Sequence, residues 1–108
     1  VLSAPEPGRA IVGIGKRDAP YDAGMPVPRR LYRAGTGPGG AAASLAGAEV
    51  MKLMDQHALV DVDPGQPIAP GDIMSFGVCH PCAAFDRWRF LPLVDADGTV
   101  VDGVLTGF

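Results

Sequence analysis

Apolar residues in this chain come in short bursts, cut apart by glycine, proline and aspartate, and the bursts carry the spacing of strands rather than of long helices. Residues 8–15, GRAIVGIG, set Ile11, Val12 and Ile14 between glycines, as a short buried strand does. Residues 16–30 hold three prolines with Asp22 and Gly24 and read as an ordered irregular loop, followed by a brief strand in RLYRA. The stretch AGTGPGGAAASLAGAE, about 34–49, is made of small residues without periodicity and is expected to be a flexible loop inside one domain. Between 49 and 63 the Met, Lys and Leu content could begin a helix. Val50, Leu53, Leu59, Val60 and Val62 fit better in two strands joined near Asp55 to His57. Turn chemistry fills 64–72. IMSFGVCH (73–80) and RFLPLVD (89–95) then read as strands, and ADG as a tight hairpin turn into a closing strand. Such a series predicts an all-β fold, a small β-barrel or sandwich, as a single domain over 1–108.

Composition sharpens this picture in a few places. With 15 glycines and 11 prolines among 108 residues, long helices are disfavoured. The net charge of −3 argues against a nucleic-acid partner or a polybasic membrane anchor. No run of ~18 apolar residues could span a bilayer and no segment reads as a signal peptide, so the expected location is cytoplasmic. Two cysteines so close in sequence cannot staple a small secreted domain. Because the chain starts VLSAPEPG, without methionine, it reads as a piece of a longer protein.

Candidate chemistry concentrates in FGVCHPCAAFDRWRF, 76–90. Cys79 and Cys82 form C-x-x-C, the spacing of disulfide oxidoreductases, but that chemistry needs a helix directly after the first cysteine. AAFDRWRF offers at most one helical turn. On an extended segment Cys79 and Cys82 diverge, whereas His80 and Cys82, two apart, leave the same face and can reach one cation. Imidazole plus thiolate suits zinc. Two ligands are a thin signal, and a packed cysteine beside a hydrogen-bonded histidine explains the same residues. The glycines of 35–40 lack the G-x-x-x-x-G-K-[ST] spacing of a phosphate loop.

Four blocks carry a family likeness: PEPGRAIVGIGKRDAPYDAGMPVP (5–28), DQHALVDV (55–62), PIAPGD (67–72) and SFGVCHPCAAFDRWRFLPLVD (75–95). Together they resemble the C-terminal β-domain of the D-serine dehydratase and D-threonine aldolase family of fold-type III pyridoxal-phosphate enzymes, in particular its amino-acid deaminase branch. The resemblance implies an alanine-racemase-like architecture in which a (β/α)8 barrel, absent from this chain, carries pyridoxal phosphate on a lysine. The β-domain would cover the site, in an enzyme expected to be a homodimer. It implies that the family's H-x-[CD] metal motif falls on His80 and Cys82, binding zinc or another divalent cation that activates the β-hydroxyl of a D-amino acid such as D-serine. The Cys form of the motif is that of the dehydratases. His57 falls at a family position where a histidine follows Glu or Gln and is the tentative catalytic candidate, with a turn histidine satisfied by backbone as the plainer reading. No cofactor-binding residue is expected in this fragment, which alone should be inactive. Two alternatives stay open: a D-threonine aldolase-type lyase domain, and a non-catalytic β-module for metal binding or dimer contacts.

Other residues have plainer expectations. Lys16 reads as a surface lysine rather than a cofactor lysine, Asp22 as a turn residue, and Cys79 as packing. Asp86 could support a metal-bound histidine or pair with Arg87 or Arg89. Phe85 and Trp88 read as core or an interdomain wall.

Overall fold

The computed structural model describes residues 1–108. Nine strands and one helical turn follow in order: β1 Ser3–Glu6, β2 Arg9–Val12, β3 Val27–Tyr32, β4 Ala42–Ser44, β5 Glu49–Leu53, β6 Ala58–Asp61, β7 Ile73–Gly77, α1 Cys82–Phe85, β8 Phe90–Val94 and β9 Val100–Leu105. All pairings are antiparallel. One sheet has the order β1-β2-β6-β5, a second β4-β3-β7, and β8-β9 form a separate hairpin. The first two sheets share one core, in which Ala10 and Val12 of β2, Val50 and Leu53 of β5 and Ala58 and Val60 of β6 meet Leu31 of β3. Met74 and Phe76 of β7 pack against this cluster. The expected all-β fold is what the chain forms.

Two bulges set which side chains reach that core. Opposite β6, Val50 pairs with Val60 and Lys52 with Leu59, so Met51 is an extra residue and the side-chain alternation shifts by one. Val50 and Leu53 are therefore both buried although three positions apart, which is the spacing that gave this segment its helical flavour. β3 repeats the device, with Arg29 extra opposite Phe76 and Ser75 and both Pro28 and Leu31 buried. Pro28 is tolerated because it lies beside the bulge and before the Arg30–Tyr32 stretch where β4 pairs.

Several expected boundaries move. The irregular loop expected to 30 ends at Pro26, since β3 begins at Val27. Within 34–49 the structure places β4, and Leu45, directly after it, is buried with its amide bonded to the Arg29 carbonyl at 3.0 Å. The strand expected over 73–80 stops at Gly77, and β1 had no counterpart in the sequence reading.

Asp72, the buried charged residue of the domain, pins β7 to the end of β3. Its carboxylate accepts from the amides of Ala34 and Ala69, both at 3.0 Å, and from Arg33 Nη1 at 2.7 Å. Burial alone would push this carboxyl upward. The two amide bonds and the Arg33 guanidinium outweigh it and hold the pKa below the usual carboxylate range.

Candidate metal-ligand site

After Gly77 the chain leaves the sheet and wraps into a turn. Pro81 already has helical dihedrals (φ −61°, ψ −27°), the Ala83 amide bonds the His80 carbonyl at 3.3 Å, and the Ala84 amide bonds the Pro81 carbonyl at 2.9 Å. Cys82 opens α1, a single turn, as the sequence AAFDRWRF allows. The extended segment on which His80 and Cys82 were to share a face is thus corrected to a turn. Proline fixes φ near its helical value, and in helical backbone residues two apart do not share a face by rule.

This segment grips the loop that follows β2. Cys79 Sγ bonds the Met25 carbonyl at 3.3 Å, Trp88 Nε1 donates to the Arg17 carbonyl at 3.0 Å, and Arg87 Nη1 donates to the Lys16 carbonyl. The fourth contact joins two side chains: His80 Nδ1 lies 2.7 Å from Asp22 Oδ2. An ionised carboxylate only accepts, so the ring donates through Nδ1–H, and its Nε2 has no partner within the chain. The hydrogen bond from His80 holds the Asp22 carboxyl below its ordinary range.

The cysteines are both free and exposed, which removes the disulfide reading from this structure. Cys79 packs against Gly24, whose φ of 135° and proximity to the sulfur would make a side chain there strained and crowded. Asp86 lies 3.9 Å from Arg87 Nε, its plainer expectation, so the carboxylate that meets His80 is Asp22 and not Asp86. Lys16 sets its ammonium 5.2 Å from the Tyr21 ring centre, as a surface cation does.

Nowhere are three His, Cys, Asp or Glu side chains grouped as a metal site. The donor chemistry nonetheless fits an open site: one imidazole backed by a carboxylate and one free thiol are borderline-soft donors, and a catalytic cation takes its remaining ligands from elsewhere. His57 is exposed in the turn between β5 and β6, where its carbonyl accepts the Met54 amide at 2.8 Å. With Arg17, Met54, Asp55 and Gln56 it lines a shallow recess of about 350 Å³. The Lys16 amide bonds the Met54 carbonyl (2.8 Å) and the Arg17 amide bonds the Asp55 carbonyl (3.1 Å). One loop therefore carries both the His57 turn and the partner of His80.

The same architecture occurs in a solved D-threonine aldolase from Filomicrobium marinum, to which this chain is similar with a TM-score of 0.71 and 23% identity over 98% of its length. It spans 25% of that protein's length. The family model described as "Putative serine dehydratase domain" matches residues 1–94. The chain belongs to that family. No curated protein shows significant sequence similarity to it.

Proposed function

We propose that this chain is the metal-binding β-domain of a pyridoxal-phosphate-dependent D-amino acid dehydratase or deaminase that converts substrates of the D-serine type to an α-keto acid and ammonia. The observation that carries the reading is His80, with Nδ1 committed to Asp22 and Nε2 free, beside the unpaired thiol of Cys82 in a chain of the serine dehydratase family. When bound, pyridoxal phosphate supplies an electron sink at Cα and a divalent cation such as zinc supplies a Lewis acid at the β-hydroxyl. His80 Nε2 and Cys82 Sγ are the ligands this chain would contribute, and Asp22 holds the imidazole at its far nitrogen. Convergence of the two donors has to come from the 80–82 turn rather than from strand alternation. Trp88 keeps the Asp22 loop against that turn, and His57 is a second candidate for contact with the substrate.

In this reading the missing partner is a (β/α)8 barrel that carries the cofactor, within a homodimer. The exposed apolar hairpin β8-β9 is the surface suited to packing against protein rather than water. An aldolase activity is the second reading, supported by the fold of the solved relative. The cysteine at position 82 favours the dehydratase.

The test uses the full-length enzyme. His80→Ala and Cys82→Ala should each lower D-serine dehydration by about 100-fold or more, with the cofactor's visible absorption retained and Cys79→Ala near wild type. Chelation should mimic the two losses, and added zinc should restore wild type only. Dehydration unchanged within about threefold in His80→Ala would sink the metal role.

A further inference from the structure

We infer that Asp22 is the positioning residue of the site, fixing His80 as the Nδ1–H tautomer and aiming its Nε2 lone pair outward; this deepens the metal reading above and rests on it. The contact is a charge-assisted hydrogen bond of 2.7 Å between residues 58 positions apart, formed where the loop before β3 meets the segment after β7, beyond the Val27–Gly77 end of their ladder. Its purpose is not stability. The side chains are 42% and 59% exposed, and ion pairs at that exposure add little to stability. Nor is Asp22 needed to hold its own loop, because Cys79, Arg87 and Trp88 already bond the carbonyls of Met25, Lys16 and Arg17. Asp22 is thereby placed independently of the histidine it touches.

The chemistry gives the contact its use. A histidine ligand must present a deprotonated nitrogen, and the proton on the opposite nitrogen decides which one that is. A carboxylate accepting from Nδ1–H selects the tautomer and fixes the ring plane. Asp86 is closer in sequence but faces Arg87, so Asp22 is the carboxylate on hand for the task.

The experiment measures zinc affinity of the full-length protein by competition with a chromophoric chelator, alongside 15N shifts of the His80 ring. Asp22→Ala should weaken zinc binding by about 10–100-fold and shift the ring toward the Nε2–H tautomer. Asp22→Asn, whose amide oxygen still accepts one bond, should lose less. Arg87→Ala cuts another tether of the same loop without touching His80 and should bind zinc within about twofold of wild type. Zinc affinity in Asp22→Ala within about twofold of wild type, or equal losses in Asp22→Ala and Arg87→Ala, would overturn the inference. His80→Ala separates the two levels. If it too binds zinc like wild type, the metal reading fails and the positioning role goes with it; if it loses zinc while Asp22→Ala does not, only the positioning role is wrong.

Discussion

At Asp72 a single carboxylate satisfies two backbone amides and one guanidinium at once. Asp72→Asn keeps the shape but turns one acceptor into a donor facing other donors, and should cost about 1–3 kcal/mol. The pH dependence has a definite sign. Since the folded pKa lies below the unfolded one, near ~3.9, the stabilisation is fully present above that value and is lost as pH falls through the folded pKa. Thermal unfolding midpoints of wild type and Asp72→Asn should differ between about pH 5 and 7 and converge as the pH drops below ~3.9; parallel curves throughout would show that the charge is not what matters. Residues of this kind differ in how legible they are. His80 and Cys82 stand out because a motif spacing marks them, whereas Asp22 looked like a turn residue because its partner lies 58 positions away and only the fold brings them together.

Among the elements, the two strands after 49 and the Asp95 turn were readable, since β6 alternates and Asp95 accepts from the amides of Asp97 and Thr99 through its side chain. The bulges of β3 and β5 were harder to see. A bulge replaces the period of two by a spacing of three at Pro28/Leu31 and Val50/Leu53, and nothing local announces Arg29 or Met51 as the extra residue. β4 was hidden for another reason: its alanines and serine carry little strand propensity, and pairing with β3 creates the strand. The glycine-rich loop before it also has a structural reason. A Cβ on Gly39 would collide with the Asp97 carbonyl oxygen, so this loop is shaped to receive the tip of the β8-β9 hairpin. Gly39→Ala should undock the tip, seen as hydrogen exchange of the β8 and β9 amides faster by about tenfold or more with the β2-β6 amides unchanged. Equal protection in both proteins would mean that the tip contact contributes little.

For the molecule as a whole, the balance of surfaces is uneven. Only 16 of 108 residues are buried, while Phe90, Leu93, Val100, Leu105 (81% exposed) and Phe108 (76%) stand in water along and beyond the hairpin. The Phe90 ring lies over Gly103, covering one face of the ribbon in part, but a two-stranded hairpin is marginal without a partner. Apolar patches above about 300–600 Å² are the size that drives association. The 108-residue chain alone should therefore self-associate, with light scattering giving a mass above one chain that falls in Leu105→Lys. A monodisperse monomer that binds no hydrophobic dye would contradict this.

The clasp between the two loops also makes the domain spectroscopically convenient. Trp88 is the chain's only tryptophan, and its indole N–H is committed to the Arg17 carbonyl, on the same loop that carries Asp22 to His80. Opening that loop would break the hydrogen bond of an indole already 44% exposed, so a shift in the emission of an unlabelled sample reports whether that bond is made. In a metal titration the signal would follow the loop itself, separately from any turnover.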